Sequence, residues 1–202
     1  MFKDDIDIFF KKKVVQGYKE IQKEESSLFG KSFYVFQTGE PSFQPELMVI
    51  GFNPGGAYSG KISLTNGSQN RYITDGGWFA TLRSIVPQEY LEHCVGTNKY
   101  YINTPQDKDI KNKKLKELGT RLTRELIGII QPKHILCLHT DTFNTIKNSS
   151  VSKPYEGINF KVSKMGDVPV AYIPNPSPRN KHFFKDDKLV SYREAIDNFM
   201  NN

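Results

Sequence analysis

Leu47-Met48-Val49-Ile50-Gly51-Phe52-Asn53-Pro54-Gly55-Gly56 is the stretch that decides how this chain is read. Four apolar residues in a row predict a strand buried on both faces. The strand stops in Gly-x-Asn-Pro-Gly-Gly. Pro54 has a fixed φ and restricts Asn53 before it, and glycines let a backbone approach a ligand closely. Asn53 is therefore an amide on a stiff turn at the carboxyl end of a strand, where open α/β sheets hold their ligands. Taken alone, Asn-Pro and Gly-Gly are also ordinary turn dipeptides.

Outward from this stretch, apolar runs and helical periods alternate. On the N-terminal side, residues 4–24 predict an amphipathic helix with Ile6, Phe9, Phe10, Val14 and Ile21 on one face and Asp4 or Asp5 as cap. Phe33–Gln37 is a short strand. On the C-terminal side, Ala57–Gly77 lacks apolar periodicity and reads as a long binding loop. Trp78–Val86 is helical and stops at Pro87, and Gln88–His93 adds a turn. Lys99–Asn103 predicts a second strand ending in an amide. The basic run Lys108–Lys114 leads into a helix over 115–131, stopped by Pro132. His134–His139 is a third buried strand, and Asp141 caps a short helix to about Lys147. Ile158, Phe160 and Val162 alternate as an edge strand. Val168–Ile173 is the last strand, and it runs into Pro174-Asn175-Pro176-Ser177-Pro178-Arg179-Asn180. Asp186 or Asp187 caps a C-terminal helix.

Strands alternating with helices predict an α/β fold: a three-layer α/β/α sandwich with a mostly parallel central sheet. The 202 residues suffice for one domain with a sizeable core. The composition, 37% hydrophobic and 25% charged, is that of a globular protein. No apolar run reaches the length of a membrane span, and Met1-Phe2-Lys3-Asp4-Asp5 lacks the core of a signal peptide. Cys94 and Cys137 have no CxxC spacing, which argues against a disulfide framework, zinc or an iron–sulfur cluster. The expectation is a cytoplasmic monomer. A net charge of +6 and a pI near 9.1 suit a polyanionic partner.

On this plan Asn53, Asn103 and Asn175 share one crevice. Carboxamides offer donor and acceptor together, which matches the edge of a nucleobase. An amide is a poor base but can orient a water. That suffices where the bond ionises largely by itself, as an N-glycosidic bond does, provided donors face the departing base. In the Pro-Ser-Pro-Arg loop, Ser177 and Arg179 can meet phosphates. His93, His134, His139 and His182 show no ligand spacing, and a structural or surface role is the simpler reading. Lys61 is followed by Ile62, so the glycines before it do not form a P-loop.

Gly51-Phe52-Asn53-Pro54-Gly55 with Asn175-Pro176-Ser177-Pro178-Arg179-Asn180 resembles the two signature motifs of the uracil-DNA glycosylase superfamily. The first is similar to the mismatch-specific (thymine-DNA) and single-strand-selective branches. The second combines the Asn start of the former with the Pro-Ser-Pro-Arg-Asn of the latter. The resemblance covers roughly residues 46–184 and implies roles. Asn53 positions the attacking water. Gly51, Phe52, Pro54 and Gly55 line the base pocket. Asn103 reads the base. Asn175 stands where other branches carry a His that donates to the leaving base. Ser177, Pro178, Arg179 and Asn180 face DNA, with His182 near a phosphate. No Phe occurs in Ile62–Asn66, so Tyr72, or less favourably Tyr58, is the candidate stacking ring. Gly55, in place of a blocking Tyr in the most uracil-restricted branch, leaves room at the C5 position of the base.

The expectation is a monofunctional DNA glycosylase for uracil or a related damaged base, flipped out of DNA, with no cofactor and no metal. Two alternatives stay open: a catalytically inactive nucleobase- or DNA-binding module, and a hydrolase of small nucleosides or nucleotides.

Overall fold

The central strand β2, Leu47–Gly51, is wholly buried because it feeds two cores at once. Met48 and Ile50 point to one side with Ile135, Cys137, Val170 and Tyr172. Leu47 and Val49 point to the other with Leu136, Leu138, Ala171 and Ile173. A strand covered on both faces has no polar face to show, hence its continuous apolar run. The computed structural model describes residues 1–24, 31–54, 60–103, 110–148 and 155–201.

The strands in chain order are β1 Phe33–Phe36, β2, β3 Ile62–Thr65, β4 Val95–Asn98, β5 His134–Cys137, β6 Lys161–Met165 and β7 Val168–Tyr172. They form one seven-stranded sheet in the order β3-β1-β4-β2-β5-β7-β6. The central four, β4, β2, β5 and β7, are parallel. Antiparallel pairing extends the sheet on both sides, through β1 on β4 and β6 on β7, and β3 then pairs parallel with β1.

Helices cover both faces. The first face carries α1 Phe2–Ile8, a π-helical stretch Phe9–Val15, α2 Gln16–Glu24, α6 Lys113–Ile130 and α7 Thr140–Ile146. The second carries α3 Arg71–Thr74, α4 Trp78–Ile85, α5 Gln88–Glu92 and α8 Asp186–Met200. The result is an α/β domain of three layers. Among the described residues, no helix is long and apolar enough to cross a membrane. Cys94 and Cys137 are free and buried, and burial pushes both thiols well above their ordinary range.

Several local expectations are corrected. The first helix starts at Phe2, with Met1 as N-cap rather than Asp4 or Asp5. The described part of the expected loop 57–77 contains β3 and α3. These are short elements of four residues each, too brief to print a period on the sequence. The edge strand is Lys161–Met165, slightly later than the alternation of Ile158, Phe160 and Val162 implied. The last helix follows Lys185 as N-cap, with no side-chain cap bond. Helix α7 is capped by His139, whose Nδ1 accepts from the Asp141 N–H at 3.1 Å, and not by Asp141.

The largest correction concerns Lys99–Asn103. The second parallel strand is β4, which ends at Asn98. Tyr100, Tyr101 and Ile102 are apolar because they are core residues beyond the strand end. Ile102 makes only an isolated antiparallel bridge to Phe33.

Candidate active site

The parallel ladder runs on past the ends of its strands. Lys99 and Tyr100 donate their N–H groups to the carbonyls of Gly51 and Phe52 at 3.0 and 2.8 Å. Leu138 donates to Ile50 at 2.9 Å, and Ile173 to Cys137 at 3.0 Å. Thr142 Oγ1 adds a bond to the Gly51 carbonyl at 3.3 Å. The turn after β2 is thus anchored on both flanks before Asn53 begins. Asn53 is partly buried, and its Nδ2 donates to the Pro54 carbonyl at 3.3 Å. Gly55 and Tyr58 lie outside the described residues.

Asn98 is 2% exposed. Its Oδ1 occupies the space beside Gly51: a Cβ added there would lie 2.4 Å away. Gly51 is therefore required by its neighbour's amide, at a backbone conformation any residue could adopt. Asn98 Nδ2 is buried and has no hydrogen-bond partner among the described residues. An orphaned buried donor costs roughly 1–3 kcal/mol, so its retention points to a ligand that completes it. Asn103 does not reach this place. It is buried, its N–H donates to the Ser32 carbonyl at 2.9 Å, and it is not among the residues that line the cavity. The amide at the end of the second parallel strand is Asn98.

The stretch after β7 folds back on itself. Asn180 Nδ2 donates to the Asn175 carbonyl at 3.0 Å, and the Asn180 N–H to the Ser177 carbonyl at 2.9 Å. Pro178 opens a 3-10 helix, Pro178–Phe183, consistent with its fixed φ. Asn175 Oδ1 is buried and lacks a partner among the described residues. Arg179 is exposed at the rim. His182 does not line the cavity; it is exposed, with its ring against Phe183 at 4.1 Å.

These elements enclose a cavity of about 780 Å³. Gly51, Phe52, Asn53, Pro54, Asn98 and Asn175 line one side, and Ser177, Pro178, Arg179 and Asn180 continue its edge. The opposite wall is built of longer side chains, Tyr34, Gln37, Arg71, Tyr72, Trp78 and Phe79. Arg71 Nε bonds Asp75 at 2.6 Å, and its guanidinium lies 5.3 Å from the Phe79 ring centre. Arg83 Nη1 donates to the carbonyls of Tyr72 and Asp75 at 2.7 and 2.8 Å, which fixes α3 to α4. Burial pushes the Tyr72 phenol well above its ordinary pKa and raises that of Tyr34, so both stay neutral donors. Tyr72 is 1% exposed and crosses β4 at Gly96. It shapes the wall, but its ring offers little open face for stacking.

His139, which has a structural role as the cap of α7, also lines the cavity. Its ring lies on Phe52, 4.2 Å between centroids and tilted by 38°. The signal available in the sequence was its position just past the apolar run of β5. Among the described residues, no carboxylate lines the cavity. The site therefore offers amides, an imidazole, phenols and guanidinium groups, a set of hydrogen-bond donors suited to neutral or negatively charged ligand atoms.

Compared with known proteins, the chain matches no family model and no curated protein.

Proposed function

We propose that this chain is a monofunctional DNA glycosylase with a uracil-DNA glycosylase-like fold, hydrolysing the N-glycosidic bond of uracil or a related damaged base. The observation that carries the reading is the set of three amides, Asn53, Asn98 and Asn175, at or just past the ends of three strands of the parallel core, around one cavity without a lining carboxylate among the described residues. Such a set reads a base edge and stabilises a departing anion, and it has no strong general base to offer.

In this mechanism the flipped base enters the cavity. Asn98 takes the base-reading role first assigned to Asn103. The C1′–N1 bond breaks with its electron pair going to the base. Asn53 holds a water whose oxygen bonds to C1′. One proton of that water ends on the base or in solvent, leaving free base and an abasic site. Asn175 Nδ2 donates to the base as charge develops, and Arg179 and Ser177 hold flanking phosphates.

The test is turnover on uracil-containing single- and double-stranded oligonucleotides, with free base and alkali-labile abasic sites as products. Release of base from free nucleosides but not from either oligonucleotide would sink the DNA glycosylase reading in favour of a small-molecule hydrolase.

A further inference from the structure

Asn53 stands two residues past a carbonyl that is held twice. The Gly51 oxygen accepts from the Lys99 N–H at 3.0 Å and from Thr142 Oγ1 at 3.3 Å. These donors belong to different segments, the chain just past β4 and helix α7. One side chain joins the two. Lys99 Nζ reaches Asp141 Oδ2 and Thr145 Oγ1, both at 2.6 Å, on either side of Thr142 in α7. The same ammonium lies 5.1 Å from the centre of the Tyr100 ring. Tyr100 in turn holds Phe52, through its N–H to the Phe52 carbonyl at 2.8 Å and ring against ring at 4.9 Å. Gly51 and Phe52, the two residues before Asn53, are thus both bonded to the segment that Lys99 locks to α7.

The Lys99 side chain is 3% exposed and that of Asp141 49%. Replacing a buried ion pair by apolar side chains of similar volume is often neutral for stability or better, so stability alone does not account for a lysine here. An ammonium has three donors and can hold several acceptors in one arrangement, which an apolar end cannot do. Resting on the glycosylase reading above, we propose that Lys99 is a positioning residue for Asn53. Its ammonium fixes α7 to the chain after β4, and with it the two bonds to Gly51 that set the Asn53 turn. Lys99 does not line the cavity, so it touches no substrate and acts through the turn. The hydrolysis keeps the steps already written. Asn53 must hold its water in line with C1′, and a misplacement of about 1 Å in such a group can cost on the order of 10² in rate.

Lys99→Met keeps most of the stem and removes the ammonium, and the Asp141 carboxylate it leaves behind is half-exposed to water. It should slow single-turnover cleavage of a uracil oligonucleotide by roughly tenfold to a hundredfold, with DNA affinity within a few-fold. A cycle with Asn53→Ala separates positioning from general loosening. If Lys99 acts through Asn53, adding Lys99→Met to Asn53→Ala lowers the remaining rate by less than about twofold. The melting temperature should fall by the same amount in both backgrounds. Asp141→Asn keeps an oxygen for the ammonium and should recover most of the rate that Asp141→Ala loses; this pair carries the test if Lys99→Met does not fold. Three results overturn the inference: a wild-type cleavage rate in Lys99→Met, the same loss with and without Asn53, or equal rates in Asp141→Asn and Asp141→Ala. A wild type inert on uracil in both strand forms sinks the glycosylase reading and this inference together, whereas an active wild type with any of those three results sinks this inference alone.

Discussion

One side of the cavity is made of short side chains and the other of long ones, and they are held by different forces. Asn53, Asn98 and Asn175 have little freedom of their own, and the parallel ladder places their backbones. Tyr34, Arg71, Tyr72 and Phe79 project from an antiparallel strand and two short helices, and they are placed mainly by one another. The amide side can therefore keep sub-ångström geometry of the kind catalysis needs. The aromatic side gives bulk and polarity.

The sharpest way to break this contrast is Asn53→Ala. If the amide side does the chemistry, removing the water-holding oxygen costs on the order of 10²–10³ in rate, about 3–4 kcal/mol. DNA affinity should change only a few-fold. Asn53→Asp keeps the shape, adds a charge that favours the cationic sugar, and should retain measurable activity. Single-turnover cleavage and equilibrium binding on one oligonucleotide separate the two quantities. Wild-type cleavage by Asn53→Ala makes Asn53 a turn residue and ends the mechanism.

Next in size is Gly51→Ala. The added methyl would lie 2.4 Å from Asn98 Oδ1 and must turn that amide away. A base contact of this kind contributes about 1–3 kcal/mol, so uracil cleavage should fall by roughly tenfold to a hundredfold. Asn98→Ala should fall similarly, and the double variant little further, because both changes remove one contact. Full additivity in that cycle would mean that Gly51 acts elsewhere.

Gly96→Ala probes the opposite wall. Its methyl would lie 2.1 Å from Tyr72 Cε2, so the ring must move. Overpacking of this kind typically costs about 1–3 kcal/mol of stability, visible as a lowered melting temperature. Its effect on cleavage should be smaller than that of Gly51→Ala. A larger effect on rate would show that the aromatic wall is as exacting as the amide side. The smallest change is expected for Arg179→Ala at the exposed rim: a few-fold weaker DNA binding, with the slope of log affinity against log salt reduced by about one. An unchanged slope would remove Arg179 from the DNA-facing surface.

The same contrast explains what could be read from sequence. Strands β2, β5 and β7 were legible because burial on both faces demands unbroken apolar runs, and the turns after β2 and β7 were legible because Pro and Gly leave few conformations. Strand β4 is just as buried, yet Val95-Gly96-Thr97-Asn98 does not look it. Gly96 is there to let Tyr72 cross, and the Thr97 hydroxyl is satisfied by the Val35 carbonyl at 2.7 Å. Such needs come from distant neighbours and leave no local period. The apolar Tyr100–Ile102 beside it drew the strand, and with it the amide at its end, five positions too late. The place of His139 at the cavity was hidden for a related reason: it is set by a backbone N–H and an aromatic ring that only the fold brings to it.

The bonds from Lys99 and Tyr100 to Gly51 and Phe52 have one more consequence. They leave no hinge between the sheet and the turn that bears Asn53. A lid or clamp closing over substrate would have to move something else, and the short cavity-lining elements outside the ladder are α3 and the 3-10 helix. Time should therefore enter the molecule unevenly: hydrogen exchange at the amides of Lys99 and Tyr100 is expected to be among its slowest, because those bonds break only with the sheet itself.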